Sequence, residues 1–447
     1  MSLEDNLYPF LKFYKNLPLP IKVIIGKLYS VLPSKLKYGE FYFRYKKRII
    51  DKKECRDNLL KVQLKDATEN IPFYKGLEYN SIEDFPIVDK TLIRSNFTSF
   101  IDSSRQDFIK ANTGGTSGNP FEFYLESGVS RSKEKAHFNW YWGQFGYKEG
   151  DRILMIRGEA LSGDQLYEYQ AIDNKLAISC YLINASNIEQ VIKEINKFKP
   201  KFIHAYPSAL KIFIKCIDQN VLKLDVDVKS IFLGSEGLLL KDKNRFETYF
   251  NAKIAHWYGH SERLVHAGNC LYSDDFHIYP FYGYLELLDE SNNVIIEAKL
   301  KGRIIATGFD NSVMPLIRYD TGDEAEYSET IECNCGFKGR SLRKIYGRGQ
   351  DYIYLKDKTK ISLTAFIFGQ HFEEFELIKE IQLEQSTYGD LLIRIVTTSM
   401  ADFKKDKFIS KLKKSVEEKI EIELQFVSEI AKTKRGKQVF LIQKIKK

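Results

Sequence analysis

A loop rich in glycine and hydroxyl residues, TGGTSGNP at residues 113–120, is the first segment whose composition could do chemistry. Glycines let the backbone approach an anion closely and present N–H groups to it, and Thr and Ser hydroxyls can donate to phosphate. The segment lacks the Gly-Lys-Ser/Thr ending of a Walker loop. Because apolar FEFYL follows at once, we predict that the loop joins two strands as a hairpin. A hairpin that merely turns the chain is the alternative.

Two later segments carry aromatic and carboxylate side chains of the kinds that bind nucleotides and metal ions. In HWYGHSE, residues 256–262, Tyr258 could stack on a purine and Glu262 could hold a cation. In RYDTGD, residues 318–323, Asp323 follows a glycine in a predicted turn and could accept two hydrogen bonds from a ribose diol. The structural alternatives are a strand end with a core tryptophan and an Asx turn between strands.

A basic segment near the end of the chain, KTKRGKQVF at residues 432–440, places Lys437 directly after a glycine. A lysine ammonium on a flexible loop is a mobile point charge that can follow charge on a transferring phosphoryl group. The alternative is a solvated basic tail.

Cysteine and histidine residues form a further constellation, Cys270 and His277 followed by the pair Cys333 and Cys335. Three thiolates and one imidazole are a recognised structural zinc set, although a C-x-C pair is tighter than the usual spacing. The alternative is a pair of reduced cysteines in a strand connection, with an unrelated Cys and His elsewhere.

These residues need a scaffold, and the sequence between 187 and 258 predicts one. Helical and strand patterns alternate there with short connections, which favours a parallel sheet covered by helices. In such sheets ligands bind beyond the carboxyl ends of the strands, where HAYPS, GSEG and WYGHSE lie. The predicted helices are Asn187–Lys199, Pro207–Gln219 and Lys241–Phe250, and the predicted strands are Phe202–Tyr206, Lys229–Leu233 and Lys253–Tyr258.

The rest of the chain predicts two further pieces and an N-terminal region, residues 1–110, that is mostly helical and irregular. Short strands after residue 277 indicate a small antiparallel or barrel-like piece, and a small α+β unit follows from about residue 350. We place the boundary at the glycines of GRGQD, with a large domain at 1–348 and a small mobile domain at 349–447. The antiparallel strands are His277–Pro280, Tyr284–Leu288, Val294–Lys299 and Arg303–Thr307. The small unit has strands Tyr352–Leu355, Ile378–Gln385, Leu391–Thr397, Glu423–Val427 and Val439–Ile445, with helices Leu363–Phe375 and Ala401–Ile420.

Composition restricts the class of protein. A chain of 447 residues is too long for one core, and its 43% hydrophobic content is that of a globular protein. We find no apolar run long enough to cross a bilayer and no signal peptide, and the singly placed cysteines favour a reducing compartment. We therefore expect a soluble, cytoplasmic protein that binds no nucleic acid. The net charge of +8 leaves contact with an anionic substrate or a membrane surface open.

The order of these motifs along the chain resembles the adenylate-forming superfamily, and within it the phenylacetate–coenzyme A ligase-like branch. The chain is most similar to the CapK-like proteins associated with capsule and polysaccharide biosynthesis. The resemblance covers residues 110–447 and rests on TGGTSGNPFEFY, HAYPSAL, YGHSER, the FHIYP and YGYLEL segments, and MPLIRYDTGD.

The resemblance implies a role for each matching residue. A glycine-rich loop would close on the β- and γ-phosphates of ATP, with Thr116, Glu262 and Lys437 as the catalytic set and Glu262 as the magnesium ligand. Asp323 would bind the ribose, and Arg348 would lie near the ribose and the hinge. The other nucleotide-binding residues would be Thr113, Gly115, Ser117, Gly118, Ser235, Glu236, Gly237, Trp257, Tyr258 and Gly259. We expect Tyr206, His260 and Ser261 in the substrate pocket, with a core role as the alternative for Tyr206 and for the nearby aromatic residues Trp140, Tyr141 and Trp142.

The implied activity is magnesium-dependent activation of a carboxylic acid by ATP, which forms an acyl-adenylate and releases pyrophosphate. The acyl group would then pass to coenzyme A, or to an amine or hydroxyl of a sugar precursor. A non-catalytic nucleotide- or acyl-binding protein on the same scaffold is the alternative. The loop departs from many relatives because no lysine flanks Pro120, so the pyrophosphate charge would rest on amides, hydroxyls, magnesium and Lys437. Some members of this branch use the C-x-C-G segment for zinc, which implies a structural zinc here.

Overall fold

The computed structural model describes residues 3–7, 10, 13–14, 16–51, 56–112, 121–157, 161, 165–179, 182–346, 352–367, 374, 377–430 and 440–445. The α-helices that we number within these ranges are α1 (Leu3–Leu7), α2 (Leu19–Val31), α3 (Ser34–Asp51), α4 (Arg56–Asn70), α5 (Lys90–Ser95), α6 (Ser130–Gly143), α7 (Ile188–Phe198), α8 (Pro207–Gln219), α9 (Leu240–Phe250), α10 (Leu363–Ile367) and α11 (Lys405–Lys414).

The strands are β1 (Phe108–Asn112), β2 (Glu122–Glu126), β3 (Ile153–Ile156), β4 (Tyr167–Gln170), β5 (Lys175–Ile178), β6 (Phe202–Ala205), β7 (Ser230–Leu233), β8 (Lys253–Gly259), β9 (His266–Gly268), β10 (Phe276–Ile278), β11 (Gly283–Leu288), β12 (Lys301–Gly308), β13 (Tyr319–Tyr327), β14 (Ser341–Ile345), β15 (Tyr352–Tyr354), β16 (Lys360–Ser362), β17 (Ile378–Gln385), β18 (Asp390–Thr397), β19 (Glu421–Phe426) and β20 (Leu441–Gln443).

One mixed sheet of 12 strands forms the centre of the chain, in the order β11-β12-β13-β14-β10-β9-β8-β7-β6-β3-β5-β4. Strands β8, β7, β6, β3 and β5 run parallel to one another, as the alternating pattern predicts. The predicted antiparallel piece continues the same sheet, because β8 pairs antiparallel with β9 beyond the parallel strands. The expected α/β fold class is therefore confirmed.

Helices α7 and α8 cover the parallel strands with apolar side chains at helical spacing. Buried residues of α7 include Val191 and Ile195, and those of α8 include Leu210, Phe213 and Ile217. All five belong to one hydrophobic core together with the side chains of β6 and β7. Burying side chains of this kind stabilises the fold by about 1.5–3 kcal/mol each.

The segment Val294–Lys299, predicted as a strand, forms only an isolated bridge between Leu288 and Val294. Two non-glycine residues in the left-handed region, Asn292 and Lys299, bound the segment and turn the chain out of the sheet. The prediction of a strand there was wrong. The segment is apolar, but the left-handed residues at its two ends prevent a continuous ladder of hydrogen bonds with the neighbouring strand.

The C-terminal unit contains a four-stranded sheet in the order β19-β18-β17-β20. In place of the helix predicted over 401–420, the structure has the shorter α11. Glu417 and Glu418 adopt left-handed backbone angles, so the helix cannot continue through them. Of the helix predicted over 363–375, the structure describes α10 alone. The proposed domain boundary at 347–351 lies outside the described residues and stays a prediction.

The two flanks of the glycine-rich segment form an antiparallel pair, β1 with β2, in which Asn112 opposes Glu122. The hairpin predicted from composition is therefore confirmed at its two strands. The N-terminal region is helical, as expected, and α3 packs on α6. None of the helices that the structure describes is both long and apolar enough to cross a membrane.

Candidate active site

The first part of the site lies at the carboxyl end of β7, where Ser235, Glu236 and Gly237 follow the strand. Ser235 is exposed and adopts φ +66°, which turns the chain sharply at this edge. Glu236 is buried, and its carboxylate accepts hydrogen bonds from the backbone N–H and the hydroxyl of Ser208, both at 2.9 Å. These contacts tie the predicted adenine segment to the start of α8.

Strand β8, which carries most of the HWYGHSE motif, lies against the segment Ser235–Gly237. The carbonyl of Glu236 lies 3.0 Å from Nε2 of His256, so the segment after β7 is held against the interior of β8. Trp257, Tyr258 and Gly259 complete the strand. Trp257 packs with the aromatic core, as the structural alternative for this residue expects.

Tyr258 and Asp323 are in contact. The Tyr258 hydroxyl donates a hydrogen bond to Oδ2 of Asp323 over 2.9 Å, although 65 residues separate them in the sequence. Both side chains are half-buried. The structure thus brings together the predicted purine-stacking and ribose-binding residues.

Asp323 does not lie in a turn between strands. It is inside β13, directly after Gly322 at φ +76°, where the pairing with β12 is irregular. The Gly322 N–H donates to Oδ1 of Asp320 at 2.8 Å, so the Asx-type hydrogen bond does occur, but within the strand. The prediction of a turn was wrong because a bulge can use the same residues as a turn.

Glu262 is buried on the segment after β8, with 5% of its side chain exposed. Its Oε1 accepts a hydrogen bond from the Tyr319 hydroxyl at 2.8 Å and lies 3.7 Å from the Lys90 ammonium. Burial raises the pKa of this carboxyl, but His260, Lys90 and the Tyr319 hydrogen bond outweigh burial, and the pKa is lowered overall. Glu262 is therefore a buried anion in a site that favours positive charge.

The three residues predicted for the substrate pocket occupy different environments. Tyr206 is buried at the start of α8, and its hydroxyl accepts a hydrogen bond from Nη2 of Arg157 at 3.0 Å. Burial lowers the pKa of His260, whose ring centroid lies 6.0 Å from that of Tyr258. Ser261 is exposed. His260 thus neighbours the nucleotide residues, whereas Tyr206 lies at the end of β6.

Several predicted site residues lie outside the described part of the chain. They are Thr113, Gly115, Thr116, Ser117, Gly118, Arg348 and Lys437. Their assignments remain predictions from the resemblance.

Sequence reasoning missed three residues that shape this site. Lys90 and Tyr319 both contact Glu262, and Gly234 adjoins Trp257 so closely that an added Cβ would come within 2.6 Å of the indole. Tyr319 belongs to the RYDTGD motif, so its position in the motif was a usable signal. No sequence signal marked Lys90 or Gly234, because their closeness to Glu262 and Trp257 depends on tertiary packing.

The four predicted zinc ligands converge. Cys270 Sγ lies 3.6 Å from Cys333 Sγ, and Cys335 Sγ lies 3.4 Å from Nε2 of His277. All four ligand atoms lie within 4.8 Å of one another. The Nδ1 atom of His277 is 2.9 Å from the Ser341 hydroxyl, which leaves Nε2 directed at the cluster. Cys270 and His277 lie far in sequence from Cys333 and Cys335. The two pairs meet in space because β10 pairs with both β9 and β14.

Comparisons with known proteins agree with this architecture. Residues 353–444 match the CapK C-terminal domain family. Protein CapK of Staphylococcus aureus is 26% identical over 463 aligned positions, which cover 97% of each chain. A crystal structure of 2-hydroxyisobutyryl-CoA ligase with 2-HIB-AMP and CoA in the thioesterification state matches with a TM-score of 0.53 at 17% identity, covering 87% of this chain and 89% of that one.

The same ligase in the postadenylation state with 2-HIB-AMP matches with a TM-score of 0.51 at 17% identity, over 87% of this chain and 89% of that one. At this level of identity the match establishes the fold. The resemblance expected from the motifs is confirmed: the chain has the fold of an adenylate-forming ligase, and its C-terminal unit is similar to the CapK C-terminal domain.

Proposed function

We propose that this protein is an AMP-forming ligase that activates a carboxylic acid with ATP and then transfers the acyl group to a second nucleophile. The observation that carries the proposal is the joining of three motifs at one edge of the sheet. Glu236 contacts His256 on β8, Tyr258 on the same strand contacts Asp323, and Glu262 follows that strand. In open α/β sheets this edge is where ligands bind.

The chemistry of these groups suits adenylation. Asp323 is a half-buried carboxylate that accepts from the Tyr258 hydroxyl, and the two oxygens of a carboxylate offer about four acceptor sites, enough to accept from a ribose diol as well. The flanks of the glycine-rich segment are joined as a hairpin, which would present its amides and hydroxyls to phosphate oxygens. Catalysis of phosphoryl and nucleotidyl transfer depends largely on positioning and charge stabilisation, and this site supplies both.

Glu262 fits the role of a magnesium ligand. Magnesium is commonly held by one or two carboxylates together with substrate phosphates. Glu262 supplies one buried anionic carboxylate, and the Lys90 ammonium at 3.7 Å marks a position where positive charge is already stabilised. When bound there, magnesium would neutralise charge on the phosphates of ATP.

The acyl acceptor is proposed to be coenzyme A or an amine or hydroxyl of a sugar precursor. The likeness to a ligase crystallised with CoA supports the first acceptor. The sequence resemblance to CapK-like proteins of capsule and polysaccharide biosynthesis suggests the second, and the chain is similar to Protein CapK. The cysteines that stand singly in the sequence, Cys55, Cys180 and Cys216, support a cytoplasmic location, since an oxidising compartment would favour disulfides.

A structural zinc ion is part of the proposal. Tetrahedral Zn–S bonds of about 2.3 Å would place two sulfur atoms about 3.8 Å apart, and the observed separation of Cys270 and Cys333 is 3.6 Å. The zinc would join the β9–β10 connection to the β13–β14 connection. Its role would be to stabilise the segment behind the YGHSE loop, because Ser341 already orients the imidazole of His277 and no open ligand position is implied.

The experiment that tests the function is carboxylate-dependent exchange of labelled pyrophosphate into ATP by the full-length protein. An AMP-forming ligase exchanges label only when its acid is present, because the acyl-adenylate must form and revert. A non-catalytic nucleotide- or acyl-binding protein on the same scaffold would bind ATP without exchange for any acid in a broad panel.

A further inference from the structure

We propose that helix α2, together with the basic residues that flank it, docks on the surface of a lipid bilayer that contains anionic lipids. The proposal concerns where the protein works and does not depend on its catalytic activity. It follows from an inverted burial pattern in α2 and from the uneven distribution of charge along the chain.

The two residues that helix α2 buries most completely are a lysine and a glycine. Lys22 is 8% exposed, and its ammonium pairs with Glu168 of β4 at 3.2 Å. Gly26 is buried, and an added Cβ would come within 2.6 Å of the carbonyl oxygen of Ala171. The fully buried positions of this helix are thus a salt-bridged lysine and a glycine, with Ile25 and Tyr29 half-buried beside them.

The opposite face is aliphatic and faces water. Ile21, Ile24, Leu28 and Val31 follow helical spacing and are 44%, 58%, 62% and 78% exposed. A helix that served only the core would bury these residues and expose Lys22. Nearby apolar side chains are exposed as well, namely Leu7, Phe10, Phe13, Leu19 and Leu36. We call Ile21, Ile24, Leu28 and Val31 the aliphatic stripe.

Charge identifies the surface that would cover the stripe. Residues 10–50 contain ten Lys and Arg and a single acidic residue, Glu40, which is a surplus of nine. The whole chain carries +8, so the remainder is close to neutral. Among the described basic residues of this segment, Lys27, Lys35, Arg44 and Lys47 are exposed. Lys35 pairs with Glu40 at 2.8 Å, and Lys22, Lys37 and Arg48 pair with acidic residues outside the segment, so the exposed positive charge rests on the remaining basic residues.

An exposed aliphatic helix face within a basic segment fits an anionic bilayer better than a second copy of the chain. A second copy would set the same basic segment against itself, with Lys27, Arg44 and Lys47 exposed on each copy, which is repulsive. A bilayer accepts aliphatic side chains to a depth of about 5–10 Å, and its anionic headgroups attract Lys and Arg side chains that lie near the surface. The 13 residues of α2 are about 20 Å long, which suits a helix that lies in the interface rather than one that crosses it.

The test is flotation of the full-length protein with two kinds of vesicle, phosphatidylcholine alone and phosphatidylcholine with about 30% phosphatidylglycerol. We expect binding to the mixed vesicles, weakening at high salt, and little binding to the neutral ones. The double variant Ile24→Glu/Leu28→Glu should bind mixed vesicles about tenfold or more weakly. Both positions are exposed, so the thermal unfolding midpoint should be preserved.

The matched control is Val221→Glu/Leu240→Glu, which changes two residues that are 92% and 67% exposed outside the N-terminal region. It should leave vesicle binding unchanged. Equal binding of the wild type to both kinds of vesicle, or to neither, would overturn the proposal. A wild-type dimer that the stripe variant converts to a monomer would also overturn it, in favour of a second copy. Pyrophosphate exchange in vesicle-free buffer should be the same in both variants, so failure here is distinguishable from failure of the proposed function.

Discussion

The Tyr258 hydroxyl holds the Asp323 carboxylate at 2.9 Å, and this contact joins the last strand of the parallel half of the sheet to strand β13 of its antiparallel half. The HWYGHSE and RYDTGD motifs, each of which had a purely structural alternative, thereby become parts of one site. The hydrogen bond also sets the orientation of a carboxylate whose proposed partner is a ribose diol.

Tyr258→Phe should weaken nucleotide binding. The substitution keeps the ring but removes the hydrogen bond to Asp323, and hydrogen bonds to charged groups are worth about 1.5–3 kcal/mol. We expect the KM for ATP in pyrophosphate exchange to rise by about tenfold with a smaller effect on kcat. Tyr169→Phe is the control, because Tyr169 donates at 3.0 Å to Asn174 at the far edge of the sheet. Unchanged ATP dependence in Tyr258→Phe would remove Asp323 from the proposed ribose site.

Glu262→Gln should abolish most exchange activity while leaving the fold intact. The amide oxygen can still accept from Tyr319, but the negative charge that would hold magnesium is lost. We expect exchange to fall by about 100-fold or more, in keeping with the loss of one electrostatic group in a buried site. Glu168→Gln serves as the control, since it removes the charge of another carboxylate paired with a lysine. Exchange that is insensitive to Glu262→Gln at every magnesium concentration would refute this role.

Purified protein should contain zinc in about equimolar amount, and Cys333→Ser should lose both the metal and stability. Structural zinc contributes directly to folding, so the thermal midpoint of the variant should fall and chelators should lower that of the wild type. Cys216→Ser changes a thiol on α8 outside the cluster and should do neither. Substoichiometric zinc, with an unchanged midpoint in Cys333→Ser, would contradict the site.

Unfolding free energy should decrease as the pH falls below about 6.5. Burial lowers the pKa of His266 to about 3, and burial followed by the charges of His266 and Lys133 lowers that of His137. Both rings are neutral in the folded protein, whereas the unfolded chain takes up protons below about 6.5. Each histidine therefore removes about 1.4 kcal/mol per pH unit between that value and its folded pKa. Urea melts of His266→Phe should show a flatter pH dependence than wild type; an identical slope would contradict the assignment.

The regular part of the fold was predictable because local signals agree with tertiary structure there. Pro207 opens α8 at a first-turn position that tolerates proline, and the apolar spacing that follows carries the helix to Gln219, as predicted. Strand Ile378–Gln385 also has its predicted bounds. The predicted and observed elements differ where single residues adopt left-handed backbone angles. Asn292 and Lys299 interrupt a predicted strand, and Glu417 and Glu418 lie where a predicted helix ends early.

The candidate site was predictable to the extent that its residues lie in contiguous motifs. Tyr258, Glu262 and Asp323 are found by motif order, and the structure brings Tyr258 and Asp323 into contact. Lys90 and Gly234 act through distances that only the packed chain defines, so no local pattern signals them. The inverted helix α2 was equally hidden, because its apolar spacing is that of an ordinary core helix.

Carboxylate-dependent exchange of labelled pyrophosphate into ATP tests the central claim most directly. We predict magnesium-dependent exchange with at least one acid of a broad panel. We also predict that Lys437→Ala will lose most of that exchange while still binding ATP, because the lysine would act mainly in the transition state. Binding of ATP without exchange for any acid would contradict the proposed ligase and favour a non-catalytic binding protein.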